Sequence, residues 1–137
     1  MSFSLSHNIE LVPTKSQVNY LANCCSCARF AYNWALTEWK AHWEEQKALP
    51  KEERKFISEG DLRKRLNSIK KEKFPFLLEV TKYAPQEAIK QLGIAFKRFF
   101  NGKGKVGYPT YRKKFVDDRF TIGNDQVKVD GRKVRLP

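Results

Sequence analysis

The chain has 137 residues, of which 41% are hydrophobic and 13% aromatic, so it can form one folded domain with a core and is not globally disordered. Lysine and arginine number 27 against 15 acids, and the formal net charge of +12 predicts a polyanionic partner. No apolar run is long enough to cross a bilayer, and the N-terminus lacks the pattern of a signal peptide. We therefore expect a cytoplasmic protein without a membrane partner.

The positive charge is concentrated at one end of the sequence. From Lys97 onward there are twelve basic residues and four acidic ones, so this part carries eight of the twelve net positive charges. Because clustered lysine and arginine attract phosphate groups, the concentration favours a nucleic acid as the partner. The alternative is a basic surface that has no function.

The first third of the chain predicts one strand followed by helices. Apolar and polar residues alternate in residues 1–13, which is typical of a half-buried strand. Thr14 and Gln17 have the spacing of a capping box, which predicts a short first helix. A second helix is predicted over residues 28–46, where aromatic residues at helical spacing indicate a core. The predicted buried stripe of the first helix consists of Val18, Leu21, Ala22 and Cys25.

Two further helices are predicted in the middle of the chain. Ser58 and Asp61 form an acidic variant of the capping box, and the helix after them extends to about Lys73. Thr81 is expected to cap a fourth helix. That helix tolerates Pro85 in its first turn, because N–H groups there have no intrahelical partner.

Beyond a helix stop at Asn101 and Gly102, the hydrophobic period changes from 3.6 to 2. Residues 119–122 are predicted to form a strand. Asp130 and Gly131, flanked by valines, predict a hairpin with a type I′ turn.

These patterns indicate an α+β fold, in which a bundle of about four helices is inserted into a small, incomplete antiparallel β-barrel-like domain. The first strand of the β domain is predicted at residues 1–13, the helical domain at residues 14–101, and a basic loop with the returning hairpin at residues 102–137. The last hairpin is barely formed where the sequence stops, which indicates a fragment or a truncated product.

The strongest local signal is the Gly-rich turn of residues 102–107 with the aromatic and basic run after it. Glycine exposes backbone N–H groups to phosphate oxygens, and lysine or arginine can neutralise phosphates. Tyr108 and Tyr111 are expected to pack as anchors more than to stack on bases. A solvated basic connection is the alternative. The predicted contacts to the nucleic-acid backbone are Lys97, Arg98, Lys103, Lys105, Arg112, Lys113 and Lys114.

No complete catalytic motif is found. Cys24, Cys25 and Cys27 are clustered, but zinc needs four ligands, so small buried residues between helices are the better interpretation. Asp117 and Asp118 could hold Mg²⁺ in a small nuclease, yet neighbouring strand residues point to opposite faces, which favours a loop cap. We expect no enzyme activity, no metal and no other cofactor.

Six short motifs occur in order along the chain. With x for positions that do not take part, they are LxPTxxQ (11–17), ARFAYNW (28–34), KYAxQ (82–86), AFKxFF (95–100), GYPxYRKK (107–114) and FTI (120–122). Together they resemble the N-terminal region of the TnpB (OrfB) proteins of bacterial insertion sequences. Members of that family are RNA-guided DNA nucleases related to type V CRISPR effectors.

The resemblance implies a β-barrel wedge domain interrupted by a helical, helix-turn-helix-like recognition domain. It implies that Lys82, Gln86 and Thr121 read a short DNA motif beside the target, and that a structured guide RNA is a second partner. The RuvC-like nuclease domain and zinc ribbon of the family have no counterpart in this sequence, which implies binding without cleavage. The alternative is a degenerate transposase remnant that binds nucleic acid only through charge.

Overall fold

The computed structural model describes residues 5–102 and 104–137. In these residues the chain forms three α-helices, α1 (Lys15–Lys47), α2 (Glu59–Lys73) and α3 (Tyr83–Asn101). An antiparallel hairpin of β1 (Lys128–Asp130) and β2 (Lys133–Arg135) follows. Short 3₁₀ turns lie at Lys51–Glu53, Pro75–Glu79 and Asn124–Gln126. No helix in the described ranges is long and apolar enough to cross a membrane.

The first two predicted helices are one continuous helix, α1, of 33 residues. It begins at the predicted capping box, where the Gln17 N–H donates to Thr14 Oγ1 and the Thr14 N–H donates to Gln17 Oε1 at 2.8 Å. The prediction of a break near Cys25 was wrong because no glycine or proline occurs between Lys15 and Lys47 to interrupt the helix.

The buried face of α1 differs from the predicted stripe. Val18 is exposed, whereas the helix buries a run of small residues followed by larger ones. Small side chains let α3 approach α1 closely. Further along α1, the indole of Trp39 stacks on the ring of Phe96, with 4.1 Å between the ring centroids. The buried residues of α1 are Cys24, Cys27, Ala28, Ala31, Tyr32, Ala35 and Leu36.

The predicted third and fourth helices are confirmed as α2 and α3, but the prediction that Thr81 caps the fourth helix was wrong. The N-cap of α3 is Lys82, while the Thr81 hydroxyl, one position earlier, accepts from the Tyr83 N–H at 3.3 Å. Ser58 and Asp61 form the predicted capping box of α2, and Pro85 lies in the first turn of α3. The two helices pack against each other at Gly93, where a Cβ atom would come within 2.9 Å of the Glu59 side chain. A larger residue at Gly93 would therefore push α2 away from α3.

The β part is smaller than predicted. Residues 5–13 form no strand and their apolar side chains are exposed, since no neighbouring strand pairs with them; Phe3 lies outside the described residues. Residues 119–122 also form no strand: the Thr121 hydroxyl is bound by Gln91 of α3, and Phe120 packs against the hydrophobic core. In the described ranges the sheet has two strands, so no barrel is closed.

The predicted hairpin at Asp130 and Gly131 is confirmed, with Asp130 paired to Lys133. Gly131 has a φ of 57°, as the first loop residue of a primed turn requires. Arg132 is not in the left-handed region, so the predicted type I′ turn, which needs positive φ at both loop residues, is wrong. An arginine side chain disfavours that conformation.

Candidate nucleic-acid interface

A groove between α2 and α3 brings basic and amide side chains together. On α2, Arg63, Asn67 and Lys70 follow one another at helical spacing. On the other side, Lys82 immediately precedes α3 and Gln86 lies one turn further along. The apolar lining consists of Leu66, Pro85 and Ile89. None of these eight described lining residues is acidic, and three of them, Arg63, Lys70 and Lys82, are basic.

The groove offers two kinds of contact to a ligand. Lys82 is exposed beside the ring of Tyr83, and its ammonium can neutralise a phosphate. Asn67 and Gln86 carry amides, which can donate and accept at once and so match the major-groove edge of adenine. Arg63 is less available, because its guanidinium already donates to both carboxylate oxygens of Glu59, at 2.5 and 3.2 Å.

Thr121 is not part of this groove. Its hydroxyl accepts a hydrogen bond from Gln91 Nε2 at 3.0 Å. Gln91 and Gln86 are five positions apart on α3, which separates them by about 140° around the helix axis. The structure therefore brings Lys82 and Gln86 together but places Thr121 on a different side of α3.

A chain of hydrogen bonds fixes the polarity of the Thr121 hydroxyl. Arg112 Nη2 donates to Gln91 Oε1 at 2.6 Å. Because a guanidinium has only donors, this contact defines which end of the Gln91 amide is oxygen. The Nε2 group must then donate to Thr121, so the hydroxyl hydrogen of Thr121 is left to donate to another group.

Arg112 itself is a structural residue. It is 8% exposed, and its guanidinium lies 4.0 Å from the centroid of the Tyr32 ring. Burial lowers the pKa of the Arg112 guanidinium, although an arginine stays protonated at neutral pH. Asn33 holds the backbone of Arg112, accepting from its N–H at 2.8 Å and donating to its carbonyl at 3.1 Å. With these partners inside the chain, we remove Arg112 from the predicted phosphate contacts.

Five of the other predicted phosphate contacts are on the surface. Lys97 and Arg98 are exposed near the end of α3, and Lys105 is exposed in the turn after it. Lys113 and Lys114 are exposed directly after Arg112. The remaining one, Lys103, lies outside the described residues.

The two tyrosines of the basic run pack as predicted. Tyr108 contacts the rings of Phe96 and Phe99 edge-on, at 5.3 and 5.2 Å between centroids. The Tyr111 hydroxyl is 3.0 Å from Thr37 Oγ1, and the ammonium of Lys40 lies 4.5 Å from its ring centroid. Both rings tie the run to the helices.

Asp117 and Asp118 cap a loop, as the sequence indicated. Asp117 Oδ2 accepts from the backbone N–H of Lys113 at 2.9 Å, and Asp118 Oδ2 accepts from the N–H of Phe115 at 3.1 Å. Asp118 also forms an ion pair with Arg29 of α1 at 2.8 Å. Both carboxylates therefore accept hydrogen bonds from backbone N–H groups of their own loop.

The cysteine cluster packs along α1. Cys24 and Cys27 are buried, and burial raises the pKa of the Cys27 thiol to about 11. Cys25 is half-buried and its pKa is also raised by burial. Thiolate, the form that binds metals, is therefore disfavoured at all three positions. In the described ranges, no group of three His, Cys, Asp or Glu side chains has the geometry to hold a metal ion.

The sequence patterns did not identify the residues whose side chains contact segments far away in the sequence. Arg29 and Asn33 on α1 and Gln91 on α3 hold the basic run in place, and Asn67 faces the groove. Arg29 and Asn33 do lie in the motif ARFAYNW, which was the available signal, but its partner segment could not be read from the motif.

Comparison with protein families gave a match in the N-terminal part of the chain. Residues 1–48 match a family model described as a helix-turn-helix domain, a class that places helices against DNA. The model is that of OrfB proteins of IS605-type elements. The N-terminal part of this chain is therefore similar to the helix-turn-helix region of TnpB/OrfB-type, transposase-like proteins. A search of curated proteins gave no match.

The matched segment and the groove lie in different parts of the fold. In residues 5–48 the structure has α1 as one helix with no turn inside it. Two helices joined by a short connection are found instead in α2 and α3, linked by residues 74–82. The helical pair that could face DNA thus lies beyond the residues that the family model matches.

Proposed function

We propose that this chain is a nucleic-acid-binding module of a TnpB-type, transposon-encoded protein. It contacts DNA beside a target and a structured guide RNA, and it binds without cutting. The observation that carries the proposal is the groove between α2 and α3, in which Lys70 and Lys82 lie with the amides of Asn67 and Gln86 and with no acid in the lining.

In this proposal the groove reads DNA and the basic surface holds the backbone. Gln86 contacts a base edge, with Lys82 beside it on a phosphate. Thr121 contributes a hydroxyl hydrogen from the other side of α3, and its methyl group suits a thymine methyl. The proposed phosphate contacts are Lys97, Arg98, Lys105, Lys113, Lys114 and, on sequence grounds alone, Lys103.

The backbone contacts are tested by a salt titration of binding to duplex DNA. The double variant Lys113→Ala/Lys114→Ala should reduce the slope of log K against log salt by about 2, since each phosphate contact contributes about 0.9. The variant Lys71→Ala/Lys73→Ala removes two exposed lysines at the end of α2 and is the matched control. Equal losses in the two variants would mean binding through total charge alone, as in a degenerate remnant.

Base reading is tested by selecting preferred sites from a random duplex pool. Gln86→Ala should relax the preference at one position while lowering average affinity little, because a bidentate amide contact discriminates by about 1–3 kcal/mol. Asn23→Ala removes an exposed amide from α1 and is the control. An unchanged preference in Gln86→Ala would remove this residue from base reading.

The absence of cleavage is tested with labelled duplex DNA and Mg²⁺. We expect the DNA to stay intact over a long incubation. Cleavage that is lost in Asp117→Ala, with binding retained, would instead support a metal-dependent nuclease.

A further inference from the structure

Phe115 lies at the tip of the basic run in a conformation that its side chain disfavours. Its φ is 66°, and it is the one non-glycine residue in the described ranges with a positive φ. A left-handed backbone at an aromatic residue is costly and persists only where the surroundings impose it. Such an outlier needs an explanation.

The surroundings do impose it. Within the tip, residues 113–118, the N–H groups of Val116 and Asp117 donate to the Lys113 carbonyl at 3.3 and 2.9 Å. Asp118 accepts from the Phe115 N–H and is tied to Arg29 of α1, so the tip is fixed to the helical core. The backbone at Phe115 is therefore held in place.

Packing does not explain the position, because the Phe115 side chain is 82% exposed. The neighbouring Val116 is also exposed. The Lys114 ammonium lies 5.0 Å from the ring centroid, and Lys113 is exposed two positions earlier in the chain. The carboxylates of the tip, Asp117 and Asp118, are engaged with its backbone N–H groups. An exposed aromatic ring next to lysines is a combination that single-stranded nucleic acids bind, through base stacking and phosphate neutralisation.

We propose that Phe115 is a stacking platform for an unpaired base of a single-stranded nucleic acid, with Lys113 and Lys114 on the flanking phosphates. A duplex does not supply this ligand, because its base faces are covered by their neighbours in the stack. The inference rests on the proposed function, since it assumes that the chain binds nucleic acid. It adds that the ligand is single-stranded and that Phe115 is the residue that selects it.

The test uses Phe115→Gly, which removes the ring and suits the positive φ, so the fold is not put at risk. Binding of a labelled oligothymidylate and of a duplex of equal length is measured by fluorescence anisotropy. Phe115→Gly should weaken single-strand binding about tenfold, the loss expected for one stacked base, and leave duplex binding within about twofold. Phe115→Tyr, which keeps a ring, should bind the single strand as the wild type does.

The matched control is Phe56→Gly. Phe56 is 86% exposed and follows Arg54 and Lys55, but it is not held at a positive φ. Equal single-strand binding by Phe115→Gly and wild type, with duplex binding intact, would overturn this inference and leave the proposed function standing. Wild-type protein that binds neither nucleic acid at low salt would overturn both. Binding to anionic lipid vesicles that depends on Phe115, with oligonucleotide binding unaffected by its loss, would assign the tip to membranes and also overturn the inference.

Discussion

Two segments that follow the helices are stabilised by different kinds of contact. The basic run with its continuation, residues 108–122, has no regular secondary structure, yet side chains of α1 and α3 bind its backbone and side chains at several points. The hairpin of β1 and β2 has regular pairing, yet its residues are mostly exposed. In this molecule, side-chain contacts between residues distant in sequence attach a segment to the core more firmly than the hydrogen-bonded ladder of a hairpin does.

This difference has a physical basis. An isolated two-stranded hairpin is marginal in water, because it orders its backbone without burying much apolar surface. A part-buried side chain that satisfies backbone groups, as Asn33 does for Arg112, fixes a segment at the cost of ordering one residue. Substitutions in the two segments should therefore differ in how far their effects spread.

The largest effect is expected for Arg112→Ala. The change leaves a cavity against Tyr32 and takes the hydrogen-bond donor away from Gln91. We expect the free energy of unfolding to fall by about 3 kcal/mol. The measurement is urea denaturation followed by tryptophan fluorescence. Lys113→Ala, an exposed neighbour, should change it by less than about 0.5 kcal/mol. Similar small effects in both variants would mean that Arg112 is not a structural anchor.

The second effect is expected for Asn33→Ala, which leaves the N–H and carbonyl of Arg112 without their partner. Losing both hydrogen bonds at a part-buried site should lower the free energy of unfolding by about 2 kcal/mol. Asn23→Ala, on the exposed side of the same helix, is the control and should be close to neutral or stabilising, since alanine favours helices. A result for Asn33→Ala as small as the control would show that solvent replaces this clamp without cost.

These clamps also mark the limit of what the sequence could predict. The starts of α1 and α2 were predictable because their signals are local: Thr14 and Gln17 cap α1, and Ser58 and Asp61 cap α2, three residues apart in each case. The clamp at Asn33 joins residues 79 positions apart, and no local pattern encodes such a pair. For the same reason the absence of a partner strand for residues 5–13 and 119–122 could not be foreseen from their alternation.

In the candidate site, too, some residues were predictable from local spacing and others were not. Lys82 and Gln86 are one helical turn apart, so their common side followed from spacing, whereas Asn67 and Lys70 reach the groove only through the packing of α2 on α3. In the sequence, Arg112 is one base in the run RKK and looks equivalent to Lys113. Only the contacts with α1 and α3 separate a buried base from an exposed one.

The third-largest loss of stability is expected for Gly131→Ala and is confined to the hairpin. Gly131→Ala forces a Cβ into the left-handed region at φ 57° and should destabilise the hairpin by about 1 kcal/mol. Because the hairpin is exposed, amide hydrogen exchange at Asp130 and Lys133, the pair that flanks the turn and exchanges hydrogen bonds, should accelerate while the urea midpoint of the helical core stays unchanged. A shift of the urea midpoint in Gly131→Ala would show that the hairpin unfolds together with the helices, and the contrast between the two segments would then fail.

The smallest effect is expected at the tip of the basic run, and it has the opposite sign. In Phe115→Gly the backbone strain at φ 66° disappears, while the unfolded chain gains freedom that offsets part of the benefit. The net result should be a gain of about 0.5 kcal/mol in the free energy of unfolding. The gain requires that the clamps by Asp117, Asp118 and Arg29 persist without the ring, since they bind backbone groups and each other. Urea denaturation of Phe115→Gly beside Phe56→Gly, in which glycine should only add freedom to the unfolded chain, measures it. A loss of stability at Phe115 equal to that at Phe56 would mean that the tip is not held by the rest of the fold.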